Sequence, residues 1–318
     1  MSNQRAFRFG VLLSERFAPH APLPRSREGW ADKARELEEL GYSTVTLPDH
    51  LDSAFAPLLG LMAAADATSR LRLGTMVMAA DLRHPAVLAK ETATLALLSD
   101  NRFELGLGAG WDASDYAAAG LTFDRPAVRI ARLAEHVSIL RSLWAGEDGD
   151  HDGKHLHATV NAAAAATCKA SIPLLIGGGG RRVLSFAAQH ADIVGVNVPI
   201  PDGAFTAAAV ATATTDATRE RIGWIEEAAG DRFARIELSI APLAVVTDNR
   251  SAALATLASR FGQSTDHVAA SPLFLIGSLD KITEDIQQRR EHYGFSYIVF
   301  TGGSEQALGR LVQTLTDT

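Results

Sequence analysis

Cysteine is nearly missing from this sequence: Cys168 is the single one in 318 residues. It cannot close an internal disulfide, and without a CxxC pair there is no zinc-thiolate framework, so it reads as a packed or exposed small residue. Long apolar runs are missing too. No window approaches the roughly 18 apolar residues of a membrane-spanning helix. The opening MSNQRAFRFGVLL holds only a short, partly apolar stretch with no small-residue cleavage site, so a soluble, cytoplasmic protein with no membrane partner is expected. Clustered positive charge is also absent. The net charge is −7, with Lys and Arg scattered along the chain, which leaves no basic stripe for a nucleic-acid backbone. Finally, there is no GxSxG elbow, and Cys168 has no plausible local setting for a nucleophile, so nucleophilic hydrolase chemistry finds no support.

What the sequence has is a rhythm. Short β-branched or apolar runs alternate with longer stretches of helical period, the pattern of βα units around a parallel sheet. Strands are expected at 7–13, 43–48, 71–78, 102–108, 172–177, 192–197, 235–246 and 295–300. Helices are expected between them, notably at 27–41, 56–67, 84–99 and 126–144. In the last of these Val128, Ala131, Leu133, Val137, Leu140 and Leu143 keep the 3.6-residue period. Residues 146–171 break the rhythm with GEDGDHDGKHLH and NAAAAATCKAS, and read as a surface excursion within one domain spanning 1–318 rather than a domain boundary. Eight sequential βα units predict a (β/α)8 TIM barrel with its site on the loops after the strand C-terminal ends. A doubly wound open sheet would carry a glycine fingerprint in the first βα turn, and SERFAPHAPLPR has none.

Four strand ends carry candidate chemistry. Asp49-His50 follows the second strand, where a histidine can move a proton near neutral pH; the competing reading is a plain polar strand exit. Gly74-Thr75-Met76-Val77 puts a glycine inside the third strand, a mark of a bulge, a close ligand or simple packing. LGLGAGW alternates Gly106, Gly108 and Gly110 without the GxGxxG spacing, and removing side chains from one face would leave a flat wall for a planar ring. Gly177, Gly178, Gly179 and Gly180 run from a strand into a helix that opens with Arg181 and Arg182. Backbone amides and a helix N-terminus converge there, which suits a phosphate, although a tight strand-to-helix turn also explains the glycines. His151, His155 and His157 lack HExxH spacing and read as a solvated loop, so no metal site is expected.

Taken together, LPDHL (47–51), LRLGTMVMAADLRHPAVLAKETATLALLSDNRFELGLGAGW (71–111), PLLIGGGGRRVLSFAAQHADIVGVN (173–197) and YGFSYIVF (293–300) resemble the bacterial luciferase-like monooxygenase superfamily, in its coenzyme F420-dependent branch. The resemblance implies a homodimeric (β/α)8 barrel with an insertion near strand five, holding a deazaflavin at the strand ends. It implies Asp49 as a cofactor ligand and His50 as the catalytic, proton-handling residue. It implies a non-proline cis peptide at Met76-Val77, with Thr75, in a bulge behind the ring. Gly177 to Gly180 with Arg181 would bind the cofactor phosphate, and Ala109 and Gly110 would line the opposite side of that channel. Ser14, at the end of the first strand, and Asn197, at the end of the sixth, are candidates for the substrate pocket.

One position departs from the family pattern. Sugar-phosphate dehydrogenase members carry a glutamate directly after the LGxGxG segment, where this chain has Trp111. That substitution speaks against sugar-phosphate oxidation and makes Trp111 an apolar wall of the substrate pocket. The leading expectation is therefore a coenzyme F420-dependent oxidoreductase acting on a small organic molecule. Two alternatives share the fold: an FMNH2-dependent monooxygenase, and a catalytically silent barrel that binds flavin or a partner.

Overall fold

In the computed structural model, which describes residues 5–200 and 203–316, the strand and helix rhythm closes into a parallel barrel. In chain order the strands are β1 (Arg8–Leu12), β2 (Thr44–Leu47), β3 (Arg72–Thr75), β4 (Met78–Ala79), β5 (Phe103–Gly108), β6 (Gly149–Asp152), β7 (His157–Val160), β8 (Leu174–Gly178), β9 (Ile193–Val196), β10 (Glu237–Ile240), β11 (Leu243–Val246), β12 (Phe274–Gly277) and β13 (Phe295–Phe300). The main sheet runs β3-β2-β1-β13-β10-β9-β8-β5-β4, and a β3–β5 pairing at Leu73 and Phe103 closes it. Since β3 and β4 are two pieces of one stave, the nine strands make an eight-stave (β/α)8 barrel. Every residue of β5 and β13 is buried, as expected where helices cover the outside of a parallel sheet and side chains fill the inside.

The helices begin and end where their sequences dictate. Ser26, Thr214 and Ser278 accept hydrogen bonds from the amides of Gly29, Ala217 and Lys281, each cap being worth about 1 kcal/mol. Gly146 and Gly294 stop the helices Pro126–Ala145 and Leu279–Tyr293 in the left-handed conformation. No helix among the described residues is long and apolar enough to cross a membrane.

At the strand N-terminal ends the barrel interior is ionic rather than apolar. Arg8 of β1 bonds Glu104 of β5 at 2.6 Å and Glu237 of β10 at 2.7 Å, and its guanidinium lies 3.7 Å from the centre of the Tyr297 ring of β13. The Tyr297 hydroxyl donates to Glu104 at 2.8 Å. This layer plugs the end of the barrel remote from the strand C-termini.

Three expectations change. The run 235–246 is two strands, because Pro242 has no N–H to continue the ladder. Only β10 belongs to the barrel. β11 instead pairs in parallel with β12, a strand not expected from the sequence, in a separate two-stranded sheet. The run 71–78 is not continuous: the peptide bond Met76-Val77 is cis, as the resemblance implied, and leaves β3 and β4 as separate pieces. In the helix Pro126–Ala145 the buried face holds Arg129 and His136, whereas Val128 and Ala131 are only partly buried. Burial lowers the His136 pKa to about 4. The excursion 146–171 folds as an antiparallel β6–β7 hairpin and the helix Ala162–Cys168. Glu135 anchors it by accepting from the amides of His155 and Leu156.

Candidate active site

A cavity of about 1240 Å³ opens over the strand C-terminal ends. Asp49 and His50, directly after β2, both line it, but they serve different partners. The Asp49 carboxylate accepts from Arg83 at 2.7 Å and from the Ala79 amide at 3.2 Å, so it ties down the segment that follows the cis bond. His50 Nδ1 lies 2.6 Å from Asp115 Oδ2. A carboxylate only accepts, so Nδ1 carries the proton and Nε2 is the ring nitrogen left for other chemistry. The other oxygen of Asp115 accepts from the Leu51 amide at 2.9 Å, so one buried carboxylate clamps both the imidazole and the backbone next to it. Trp111 packs edge-on against the ring, with centroids 5.3 Å apart at 83°.

Asp115 reaches His50 because Asp112 starts a short helix, Ala113–Ala119, by accepting from the Ser114 amide and hydroxyl at 2.9 and 2.6 Å. Arg16 bonds Asp112 and, at 2.9 Å, Asp52. Burial acts to raise the Asp112 pKa, but the hydrogen bonds from Ser114 and Arg16 outweigh it and hold the carboxyl below its ordinary value. His50, Asp112 and Asp115 could enclose a cation by geometry alone, since their ligand atoms lie within 4.8 Å of one another. Asp112 already accepts from Arg16 and Ser114, and Asp115 from Leu51 and the His50 ring.

The alternating glycines do not leave an open wall. A Cβ on Gly106 would overlap the Thr75 carbonyl, and one on Gly108 would come within 2.8 Å of Val77 Cγ2. They therefore make room for the chain around the cis bond, and Gly110 makes room for the Tyr116 hydroxyl, which donates to Asp81 at 2.9 Å. Gly108 and Gly110 still reach the cavity wall, alongside Met76, Val77 and Ala109.

The four-glycine loop divides in the same way. A Cβ on Gly179 would overlap the backbone of Val198 and Pro199, and one on Gly178 would overlap Val183. The crossing chain after β9 thus requires Gly179, and the first turn of the helix Arg181–His190 requires Gly178. Gly180 differs: no atom lies within 4 Å of where its Cβ would be, and it lines the cavity at the start of the helix Arg181–His190. Gly177 has only ordinary contacts, the nearest being Val77 at 3.5 Å. Arg181 lines the cavity but pairs with Glu227 at 2.8 Å, both side chains being exposed.

Trp111 and Asn197 line the cavity as expected. Ser14 and Thr75 are not among the lining residues. Ser14 is buried where the chain turns, its carbonyl accepting from the Phe17 and Ala18 amides, and the turn delivers Arg16 and Phe17 to the cavity instead. Thr75 sits inside the wall, its hydroxyl exchanging hydrogen bonds of 2.8 and 2.9 Å with the Gly106 carbonyl and amide. The sequence reading missed Arg16, Asp112 and Asp115, although the Asp-x-x-Asp that opens a short helix after the glycine strand was a usable signal. It also missed an apolar lobe of Ile200, Phe205, Phe261, Leu273 and Phe274, partly supplied by the chain around β12.

Residues 7–297 match the family model described as luciferase-like monooxygenase. F420-dependent glucose-6-phosphate dehydrogenase 1 of Rhodococcus jostii is 35% identical over 175 residues, which cover 50% of this chain and 52% of that protein. The chain spans about half the length of the curated relatives it matches. Among solved structures, an F420-dependent secondary alcohol dehydrogenase in complex with an F420-acetone adduct superposes with a TM-score of 0.78 at 15% identity, covering 98% of this chain and 100% of that one. A type II Baeyer-Villiger monooxygenase, the oxygenating constituent of 3,6-diketocamphane monooxygenase from the CAM plasmid of Pseudomonas putida, in complex with FMN, gives 0.69 at 17% identity, with coverages of 97% and 95%. At these identities the structural likeness speaks to the fold alone.

Proposed function

This chain belongs to the luciferase-like monooxygenase family, and from that premise we propose that it is a coenzyme F420-dependent oxidoreductase of small, largely apolar molecules. The observation that carries the reading is the clamp on His50, whose Nδ1 is held by Asp115 on the wall of a strand-end cavity. The names of the curated relatives favour a deazaflavin over FMN. The residues present fit such a group: the cavity is large, Gly180 offers an open helix N-terminus for its phosphate, and Met76, Val77 and Ala109 offer an apolar surface for its ring.

When bound, the deazaflavin exchanges a hydride with the substrate at its C5. This chain manages the proton. In the oxidation of an alcohol, Nε2 of His50 takes the hydroxyl proton while Asp115 stabilises the cationic ring; in the reduction of a carbonyl, the protonated ring returns it to the oxygen. The aromatic lobe around Phe205 and Phe261, with Trp111 beside His50, excludes water and suits an apolar substrate better than a sugar phosphate.

Fluorescence titration of the apo-protein with coenzyme F420 and with FMN tests the cofactor, and the loaded enzyme is then offered secondary alcohols and glucose 6-phosphate. Coenzyme F420 is expected to bind at least about tenfold tighter than FMN, a difference of about 1.4 kcal/mol, with turnover of alcohols but not of the sugar phosphate. Preference for FMN with substrate-linked oxygen uptake would replace this reading by monooxygenation. Binding without turnover on any substrate would leave a silent barrel.

The same reading includes a homodimer. Leu59, Val87, Leu97 and Leu98 on the neighbouring helices Pro57–Ala67 and Pro85–Leu98 are 75%, 53%, 75% and 60% exposed, an apolar face suited to a second copy. Sedimentation is expected to give a dimer that Leu97→Glu converts to monomer. A wild-type monomer at roughly tens of micromolar would remove the dimer from the reading.

A further inference from the structure

Behind the glycine loop lies an arginine that the cavity does not touch. Arg221, on the helix Thr215–Ala229, is 5% exposed. Its Nε donates to the Gly179 carbonyl at 3.2 Å, and Nη2 donates to the Thr212 carbonyl at 3.2 Å and hydroxyl at 3.3 Å. All of these partners are neutral, and no carboxylate among the described residues pairs with it. Burial lowers the Arg221 pKa, with only the field of Glu220 to oppose it; a buried guanidinium without an ion pair is costly to keep, so its persistence calls for a reason.

The bond to Gly179 supplies one. In a trans peptide the carbonyl and the following N–H point in opposite directions. With the Gly179 carbonyl drawn toward Arg221, the Gly180 N–H is aimed the other way. Gly180 lines the cavity and has open space beside it. The charge supplies a second reason. Arg181 is exposed and spent on Glu227, so solvent and that partner screen it. Arg221 is neither exposed nor paired, and its field adds to the positive end of the helix Arg181–His190.

We propose that Arg221 is a positioning residue for the anionic phosphodiester of the cofactor: it orients the Gly179-Gly180 peptide so that the amide faces the ligand, and the ligand adds a counter-charge to an arginine that has no ion-pair partner. The proposal rests on the reading that this loop takes the phosphate of the deazaflavin cofactor. It makes the loop selective for a phosphate ester over an uncharged ligand through a residue that never touches either.

The test compares coenzyme F420 with its phosphate-free ribityl deazaflavin core, each titrated by fluorescence into wild type, Arg221→Met and Arg221→Lys. Arg221→Met is expected to weaken coenzyme F420 by about tenfold and to leave the core within about twofold, with the loss shrinking as salt rises. If Arg221→Met does not fold, Arg221→Lys carries the test. It keeps the charge but cannot reach both Gly179 and Thr212, and a selective loss of about threefold is expected. Equal weakening of both ligands would reduce Arg221 to a structural role and overturn the proposal, as would variants that bind both like wild type. Wild type that binds the two ligands equally would instead overturn the phosphate reading of the loop, and the two failures are thereby distinguished.

Discussion

Replacing His50 with alanine is expected to lower kcat by roughly two to three orders of magnitude while cofactor affinity stays within a few-fold, because general acid–base catalysis contributes on that scale. The asymmetry follows from the geometry. His50 lines the cavity, and its Nδ1 is taken by Asp115, so the ring's contribution lies in the proton moved at Nε2 rather than in cofactor contacts. Asp115→Asn is the companion variant. It preserves size and can still hold the Leu51 amide through its carbonyl oxygen, but it can turn an NH2 donor toward Nδ1 and so favour the tautomer with the proton on Nε2. A fall in kcat of roughly ten- to a hundredfold with little change in KM is expected from that inversion. Steady-state kinetics across pH, with 15N NMR of the imidazole to read the tautomer, checks both. A His50→Ala enzyme with wild-type turnover and an unchanged pH profile would sink the mechanism.

How much of this was legible in the sequence depended on how local the cause was. β5 and β13 are buried on both faces and stand out as mainly apolar runs, each with one polar residue, Glu104 or Ser296, and the glycines and prolines that punctuate the helices are adjacent in sequence. β12 is four residues long within SPLFLIGS, a short apolar run between turn residues, and its partner β11 lies about thirty positions upstream, so its pairing has no local signal. The run 235–246 looked continuous because LSIAPLAVV is apolar on both sides of Pro242, and only the missing amide divides it.

The site follows the same rule. Asp49-His50 is a local pattern after a strand, whereas Asp115 is 65 positions away from His50, a distance that spacing arguments do not bridge. The glycines were visible, but their causes were not. Gly179 is small because of Val198 and Pro199, and Gly106 because of Thr75, contacts made by chain crossings that appear only after folding. All four glycines of the loop line the cavity; Gly178 and Gly179 are also held small by neighbouring atoms, whereas Gly180 has open space beside it.

The largest effect on stability is expected at the opposite end of the barrel, at Glu104. Its side chain is 3% exposed and accepts from Arg8 at 2.6 Å and from Tyr297 at 2.8 Å, with Arg72 at 3.6 Å. Burial and the adjacent carboxylate push the Tyr297 pKa well up, so its hydroxyl stays protonated and needs an acceptor. Glu104→Ala would leave Arg8 with Glu237 as its one remaining carboxylate, take from the Tyr297 hydroxyl its carboxylate acceptor, leaving Thr44 beside it, and open a void between them. Removing one member of a buried ionic group costs about 3–5 kcal/mol, and because Arg8 is itself 20% exposed the lower end applies. Glu104→Gln keeps the volume and one acceptor, and is expected to cost about 1–3 kcal/mol, the charge-assisted part of the bond to Arg8. Urea unfolding followed by circular dichroism would show both losses, with cofactor affinity of the folded variants unchanged, since the ionic layer lies at the strand N-termini and the cavity at the C-termini. A Glu104→Ala protein as stable as wild type would mean that water reaches and satisfies Arg8 and Tyr297, and the ionic layer would then not be the plug that closes the barrel.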